Sequence, residues 1–325
     1  MLTITTTRWS DEKNTDLAHV ESLLLSQHPD DRSETSTSYI NWVIEKQFPS
    51  NLKIQLNGKD IEFNFYSFSV DRVPAGAMDD DDLTVRRTGF VIPYVHSGKV
   101  RYIIDRNSDA QTLLRKMLFY SGKGEIVRNN LPVSGDLFVW LINKVYKGEN
   151  LLESESDALK DLTIDSIRGF KGNTEDSLTK VSTSGETVMN IISSLSFLIE
   201  SQNLNQITLD VAYGKHTNIE VSLSKRATIA TSIDRYLGEL YQKNEQEIIA
   251  TVLLILYTEI LPIIIQKYQI EVDATRWGQG KCVEFLQQVA NDLAEKVKIR
   301  IQDLTSRPEQ LRIPIDCEDK TEIIE

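Results

Sequence analysis

Alternation of apolar and polar residues predicts a β-hairpin over residues 52–65, LKIQLNGKDIEFNF. Asn57-Gly58 at its centre is the preferred pair for a two-residue type I′ turn. A half-buried sheet needs its apolar residues on one face, and the register set by this turn provides that. The predicted cross-strand pairs are Leu56–Lys59, Ile54–Ile61 and Leu52–Phe63.

A second hairpin is predicted over residues 86–105, RRTGFVIPYVHSGKVRYIID, with its turn at Ser97-Gly98. Successive residues of a strand point to opposite faces, so this turn assigns each residue to one side. The face predicted to lie in the core carries Val91, Pro93, Val95, Val100, Tyr102 and Ile104. The face predicted to meet solvent near the tip carries Tyr94, His96, Lys99 and Arg101.

A third hairpin is predicted over residues 209–223, and two registers keep its apolar residues together. A three-residue loop at residues 214–216 sets Asp210 directly opposite Glu220. A five-residue loop instead sets Asp210 opposite Ser222. The pattern leaves both registers open.

Helical spacing of apolar residues predicts helices between these hairpins and towards the C-terminus. Ser10, Ser108 and Ser134 stand at suitable N-cap positions for three of them. The last predicted helix carries Leu286, Ala290, Leu293 and Val297 on one stripe, which suits packing on another helix. The predicted helices cover residues 11–27, 39–47, 109–120, 136–147, 186–200 and 281–300.

The segment at residues 248–265 is apolar and long enough to raise the question of a membrane span. Glu259 near its middle and Pro262 argue against a span, because charge and kinks are disfavoured in lipid. The pattern favours a helix buried in a core or at a dimer interface.

Mixed hairpins and helices without strand–helix alternation predict the α+β class. The acidic, polar stretch GENLLESESDALKD, residues 148–161, suggests a domain boundary. We therefore predict two domains, residues 1–150 and 155–325, each combining antiparallel hairpins with helices, the second ending in long helices.

Composition places the chain among globular proteins, since hydrophobic residues make up 40% and charged residues 26% of its 325 residues. Two cysteines, Cys282 and Cys317, give no disulfide framework, and the first residues lack the pattern of a secretory leader. These features predict a cytoplasmic protein.

Charge is distributed unevenly along the chain. Residues 85–128, hereafter the basic segment, hold nine basic and three acidic residues, a net charge of +6 in a chain of net charge −12. Cations interleaved with aromatic residues are typical of surfaces that follow phosphates and stack bases. The residues predicted to contact nucleic acid or another polyanion are Arg86, Arg87, Tyr94, His96, Lys99, Arg101, Arg115 and Lys116. Docking of this segment on the acidic part of the same chain is the alternative.

Asp210 and Glu220 define a second hypothesis. Like charges directly opposite on a sheet are destabilising unless something neutralises them, and Mg²⁺ would do so. Nucleases of the PD-(D/E)xK type hold Mg²⁺ with paired carboxylates on a hairpin. They also place a lysine two residues after the second acid, where this chain has Ser222. Neighbouring basic groups could neutralise the pair instead.

Other familiar motifs are missing. The sequence GQGK, residues 278–281, lacks the earlier glycine and the following Ser or Thr of a phosphate-binding loop. The four histidines have no metal-ligand spacing.

The sequence therefore favours a protein without a catalytic centre or cofactor of its own, acting by binding through the basic segment. A homodimer or a subunit of a larger complex is expected, with no membrane partner. The alternatives are a Mg²⁺-dependent nuclease centred on Asp210 and Glu220, and a purely structural adaptor. By association, motif-poor chains of this kind often serve as accessory proteins of bacterial defence or mobile-element systems.

Overall fold

The fold is of the α+β class, as the sequence predicts, with an antiparallel sheet and a helical C-terminal part. The computed structural model describes residues 3–30, 35–75, 83–128, 131–154, 159–173, 180–184 and 203–306. The strands of the N-terminal half are β1 Thr3–Asp11, β2 Ser38–Lys46, β3 Leu52–Leu56, β4 Lys59–Phe63, β5 Tyr66–Val73, β6 Val85–His96, β7 Lys99–Ile104 and β8 Ile126–Arg128. Those that follow are β9 Leu151–Leu152, β10 Leu162–Asn173, β11 Lys180–Ser184, β12 Asn203–Tyr213, β13 His216–Ser224, β14 Ile229–Ser232 and β15 Leu237–Gly238.

Helices cover the sheet and form the C-terminal part. Two short 3₁₀ turns, Ile233–Arg235 and Glu239–Gln242, lead from the last strands into the long helices. The helices are α1 Leu17–Leu24, α2 Ala110–Met117, α3 Gly135–Tyr146, α4 Glu245–Ile255, α5 Leu261–Asp273 and α6 Gln279–Ser306. A π-helical segment, Leu256–Ile260, joins α4 to α5 without a break.

In the described part of the chain the strands form one hydrogen-bonded path in the order β11-β10-β12-β13-β14-β1-β7-β6-β4-β3. Strand β5 pairs with β6 and β2, and the short strands β8, β9 and β15 pair with β1, β10 and β13. Strand β1 is the junction, because Thr3–Thr6 pair with β14 and Thr7–Ser10 pair with β7. The two predicted domains therefore share a strand, and their independence stays a prediction.

The sheet is covered on both faces around β6 and β7. Ile92, Tyr94 and Ile103 belong to a large core that includes α3, α4 and α5. Val91, Val100 and Tyr102 belong to a second core that includes α1 and α2. The prediction that Tyr94 faces solvent is wrong, since its side chain is fully buried. A strand that is buried on both faces lacks the alternation of apolar and polar residues that would identify a solvent-facing side.

Local turn chemistry determines the hairpins as predicted. Asn57 and Gly58 have φ of 50° and 65°, and Ser97 and Gly98 have φ of 54° and 74°, the left-handed values that a type I′ turn requires. All the cross-strand pairs predicted for the first hairpin are confirmed. In the second hairpin, the pairs His96–Lys99, Val95–Val100 and Tyr94–Arg101 follow from the predicted turn.

The helix predicted over residues 39–47 is wrong, because this segment is strand β2. Its sequence, SYINWVIEK, is rich in β-branched and aromatic residues, which favour strands. Asn41 adopts φ of 54°, and the pairing with β5 shifts between Ile40 and Val43. This irregularity breaks the period-two alternation, so that the apolar residues imitate helical spacing.

The helix predicted from residue 11 begins only at Leu17, with Asp16 rather than Ser10 as its N-cap. Strand β1 continues to Asp11 because the carboxylate of this residue is buried and held by hydrogen bonds. It is 1% exposed and accepts hydrogen bonds from the Tyr102 hydroxyl at 2.6 Å and the Tyr120 hydroxyl at 2.8 Å. These long-range contacts are invisible in the local pattern.

The remaining helix predictions fall mostly where expected. Ser134 caps α3 by accepting a hydrogen bond from the Leu137 N–H, whereas α2 begins after Asp109 instead of Ser108. Helix α6 is longer than predicted at both ends. The helix predicted over residues 186–200 lies outside the described residues.

The apolar helix is a core helix. The run Glu245–Asp273 is long and apolar enough to cross a membrane, but 83% of its most apolar stretch is buried inside the protein. Its Glu259 side chain accepts a hydrogen bond from the Asn57 N–H at 2.6 Å, tying the helix to the first hairpin. This burial is consistent with a soluble protein.

Candidate functional site

The residues predicted to contact a polyanion lie in three separate places. Arg86 and Arg87 are neighbours on β6, so their side chains point to opposite faces of the sheet. Tyr94, His96, Lys99 and Arg101 lie around the tip of the β6–β7 hairpin. Arg115 and Lys116 lie on the last turn of α2. Only parts of the basic segment can therefore act together.

The polar side chains at the hairpin tip mostly bind one another or nearby residues of the same chain. Lys99 Nζ forms a 3.0 Å ion pair with Glu12, and an Arg101 Nη1–H donates to His96 Nδ1 at 3.0 Å. Burial, together with the charges of Arg101 and Lys59, lowers the pKa of His96 to about 4. The ring is therefore neutral near pH 7 and adds no positive charge there.

A cleft of about 340 Å³ beside α2 brings aromatic rings and cations together, and we call it the aromatic cleft. The loop after α1 supplies His28, β2 supplies Tyr39 and Trp42, and the end of α2 supplies Arg115, Lys116 and Phe119. Tyr120, Pro29 and Asp30 complete the lining, so one carboxylate is present at the rim. Of the predicted residues, the cleft unites Arg115 and Lys116.

The rings of the cleft are arranged for stacking. The His28 ring lies 4.8 Å from the Phe119 ring at an interplanar angle of 22°, and 5.5 Å from the Trp42 ring. His28 Nε2–H donates to the Met117 carbonyl at 3.0 Å, which holds the ring parallel to Phe119. A stacked aromatic cluster of this kind, with Phe119 exposed at its edge, suits flat, unsaturated ligands such as nucleobases.

Phe119 has an unusual backbone conformation. It follows the end of α2 with φ of 56°, in the left-handed position where glycine or asparagine is normally found. The residue is 44% exposed, so burial offsets only part of the strain. The next residue, Tyr120, is anchored by Asp11, which keeps this turn in place. Backbone strain of this kind concentrates at functional sites.

The cations of the cleft are held close to the rings. Lys116 Nζ lies 5.6 Å from the centre of the Tyr39 ring, within cation–π range. Arg115 Nη2–H donates to the Ser121 carbonyl at 2.6 Å, and Arg115 Nε has no hydrogen-bond partner within the described part of the chain.

Two further arginines approach the cleft through Tyr39. Tyr39 pairs with Arg72 across β2 and β5, and Arg87 pairs with Val70 on β5, so the two arginines share the Tyr39 face of the sheet. Burial raises the pKa of Tyr39 and Asp109 adds to the effect, whereas Arg72 and Arg87 oppose it, as their proximity requires. Arg86, on the opposite face, is paired with Asp71 at 3.1 Å.

Asp210 and Glu220 face one another on β12 and β13, the register produced by the shorter of the two predicted loops. The loop itself is one residue tighter than predicted, since Tyr213 pairs with His216 after a bulge. Arg168 Nε lies 2.5 Å from Asp210 and 3.7 Å from Glu220, and Arg235 Nη1 lies 3.4 Å from Glu220. Basic neighbours thus supply the charge that Mg²⁺ would supply in the nuclease hypothesis. Among the described residues, no group of three or more His, Cys, Asp or Glu is placed to hold a metal ion.

A second cavity, of about 430 Å³, lies between the first and third hairpins and the π-helical segment. Its polar lining includes Glu259, Tyr213, His216 and Lys160. Burial raises the pKa of Glu259 and lowers that of His216. The Glu259 carboxylate is already engaged by the Asn57 N–H, and His216 Nδ1 by the Tyr236 hydroxyl at 2.7 Å. These contacts make the cluster a structural bridge between hairpins and helix.

Comparison with protein-family models finds no match, and comparison with curated protein sequences finds none.

Sequence reasoning missed His28, Tyr39 and Trp42 as site residues. The apolar spacing of residues 39–47 predicts a helix and so conceals the strand pairing that places Tyr39 and Arg72 on one face. The sequence does contain one signal, which is that no glycine stands at the position that ends α2, where Phe119 has a positive φ. A phenylalanine stands there, followed by Tyr120-Ser121-Gly122, so the usual helix-ending glycine comes three residues late.

Proposed function

We propose that this chain is a non-catalytic nucleic-acid-binding protein that takes up unpaired bases of a single strand in the aromatic cleft. The observation that carries the proposal is the convergence of three aromatic rings, the exposed Phe119 and the partly buried His28 and Trp42, with the cations Arg115 and Lys116 in one cleft. Single strands are bound in this way because every base has a flat face, whereas the backbone needs cations alongside.

The path of the bound nucleic-acid strand beyond the cleft follows from the neighbouring charges. Arg72 and Arg87 lie beside Tyr39 at one side of the cleft, so phosphates flanking the stacked base would find positive charge there. Because the whole chain has a net charge of −12, attraction of a polyanion has to come from this local surface. Binding should therefore weaken steeply as salt is raised.

The test is fluorescence anisotropy with labelled single-stranded DNA, single-stranded RNA and duplex DNA at several salt concentrations. We expect salt-dependent binding with a preference for single strands. Replacing Phe119 by Ala should weaken binding about tenfold, because loss of one stacking ring costs roughly 1–3 kcal/mol per base.

A matched pair of arginines provides the control. Arg87→Gln and Arg86→Gln remove the same charge from adjacent positions on opposite faces of β6. Arg87→Gln should weaken binding and lower the slope against log salt by about one unit, whereas Arg86→Gln should leave both nearly unchanged. Absence of salt-dependent binding, or equal effects of the two variants, would show that this surface is not the binding site.

A metal-dependent nuclease is the second candidate, because Asp210 and Glu220 lie opposite one another as that chemistry requires. The ion pair with Arg168 weighs against it, since a metal would have to displace the arginine. Incubating DNA and RNA with the protein and Mg²⁺ or Mn²⁺ tests this candidate. Cleavage that disappears in Asp210→Ala would replace the binding proposal with a catalytic one.

We also propose a cytoplasmic location, supported by the buried apolar helix and by the presence of only two cysteines in the sequence. A purely structural adaptor would make protein contacts only, and cleft substitutions would then leave nucleic acid affinity at the level of non-specific binding. An accessory role in a bacterial defence or mobile-element system is a narrower proposal, which the identity of the neighbouring genes would test.

A further inference from the structure

Helix α6 carries apolar residues on two different faces. One face packs on the body of the protein, with Phe285 and Val289 buried and Asp292 hydrogen-bonded to the Tyr146 hydroxyl. Body contact ends near Lys296, and every residue from Val297 to Ser306 is exposed. The last ten residues of the helix therefore have no packing partner within the described part of the chain.

The second face is an exposed stripe that we call the seam. Its members follow the alternating four- and three-residue steps of a heptad repeat, and they lie roughly 110° around the helix from the body face. The larger ones are 42–55% exposed. The apolar members of the seam are Val283, Ala290, Ala294, Val297, Ile301 and Leu304. The remaining heptad position is held by Gln287.

The stripe predicted from sequence is divided between these two faces. Leu286 and Leu293 are half-buried towards the body, whereas Ala290 and Val297 belong to the seam. A helix of this length with an apolar heptad seam, interrupted only at Gln287, is typical of a coiled-coil strand, since each seam residue fits between four residues of a facing helix.

We propose that the seam forms an antiparallel two-stranded coiled coil with α6 of a second copy of this chain. The charges beside the seam identify the partner helix and show that it runs antiparallel to α6. Glu284 and Lys298 occupy equivalent positions flanking the seam, and a two-fold axis near residue 292 sets Glu284 beside Lys298 of the second copy at both ends. Asn291 then meets its own counterpart at the centre.

A parallel dimer lacks this complementarity. It would set Leu293 beside Lys298 of the second copy, and Arg300 beside Thr305 of the second copy, with no opposite charges facing one another. Glu284 and Lys298 make ion pairs with Lys281 and Glu295 on their own helix, at 2.7 and 3.4 Å. Exposed pairs of this kind contribute little and can be shared with a partner helix.

The antiparallel register also matches side-chain sizes. Val283 packs against Ile301 of the second copy at each end, and Ala290 packs against Ala294 of the second copy in the middle. Small residues at the centre let the two helix axes approach closely. Pairing also stabilises residues 297–306, because an unsupported helix of that length is marginal in water.

The experiment is measurement of molar mass by light scattering and of the dimer dissociation constant by analytical ultracentrifugation, using the full chain. We expect twice the mass of one chain at high concentration. Ile301→Asp should weaken the dimer at least about tenfold, because it buries a charge in the seam. Ile299→Asp is the matched control, since Ile299 is 50% exposed but lies off the seam, and it should leave the dimer intact.

Charge reversal tests the direction. Lys298→Glu should weaken the dimer, and the double variant Glu284→Lys with Lys298→Glu should restore it, because the opposite charges meet again with their signs exchanged. Glu284 and Lys298 are both exposed, so the thermal midpoint of the protein body should hardly change.

A wild-type chain that stays monomeric at all concentrations, or equal effects of Ile301→Asp and Ile299→Asp, would overturn the proposal. A dimer that the double reversal fails to restore would overturn the antiparallel arrangement.

Discussion

At the scale of single residues, the buried charges of this protein have defined partners. Asp11 accepts hydrogen bonds from two tyrosines and from the backbone N–H groups of Lys13 and Asn14, both at 2.8 Å. Asp210 is paired with Arg168 and accepts a hydrogen bond from Ser166 at 2.9 Å. Removing a buried carboxylate of this kind destabilises the fold, because its partners lose their nearest counter-charge or hydrogen-bond acceptor.

Replacing Asp210 by Asn should destabilise the protein by about 2–4 kcal/mol, because the partly buried Arg168 loses its nearest counter-charge. Chemical denaturation gives the free energy of unfolding. Glu62→Gln is the control, since its pair with Lys53 is exposed and should contribute less than about 1 kcal/mol. Equal losses in the two variants would mean that the Asp210 pair is no more important than a surface pair.

His96 should make stability fall in acid. Its folded pKa of about 4 lies below the ordinary 6.5, so between these values the unfolded chain binds the proton more readily than the folded one. The stability contributed by the neutral ring is complete above about pH 6.5 and is lost as pH falls towards 4.

The measurement compares wild type with His96→Gln by denaturation at several pH values. The difference in unfolding free energy should change between pH 6.5 and 4 and be constant above pH 6.5. The comparison is needed because burial raises the pKa of Asp105 to about 6, which acts in the opposite direction over part of this range. A difference that is independent of pH would contradict the buried, neutral ring.

At the scale of elements, the turn that ends α2 links stability to binding. Three carbonyls near the helix end accept hydrogen bonds in a tight turn, including Arg115 O from the Tyr120 N–H at 2.8 Å. Glycine usually occupies the left-handed position in such a turn, where Phe119 stands here. Phenylalanine at this position provides an exposed aromatic ring but strains the backbone.

Phe119→Gly should therefore leave the unfolding free energy within about 1 kcal/mol of wild type, since relief of strain offsets the lost ring contacts. The same variant should lose binding to single strands. Thermal denaturation and anisotropy on one preparation measure both properties. A strongly destabilised variant would indicate that the ring is held for packing.

At the scale of the whole molecule, β1 joins the halves that the sequence assigned to separate domains. Further contacts cross the same boundary, because the Tyr257 hydroxyl donates to Thr6 O at 3.1 Å and Trp140 Nε1–H donates to Glu271 at 2.8 Å. The larger core likewise includes residues of both halves, such as Ile92 and Leu253.

Because this core is shared, thermal unfolding should show one cooperative transition. Far-ultraviolet circular dichroism and tryptophan fluorescence should give the same midpoint, since three of the four tryptophans, Trp9, Trp42 and Trp140, lie in the N-terminal half and the long helices dominate the dichroism. Two separated midpoints would support independent domains.

Local sequence patterns are sufficient to predict the α+β class, the turns at Asn57-Gly58 and Ser97-Gly98, and the hairpin registers that those turns impose. Neighbouring residues control these features, so a local pattern is enough to predict them. The tertiary structure is needed to show that residues 38–46 form a strand, that Tyr94 is buried, and that Arg168 lies between Asp210 and Glu220. It alone brings His28, Trp42 and Phe119 into one cleft, because strand pairing and two-sided packing depend on contacts between residues far apart in the chain.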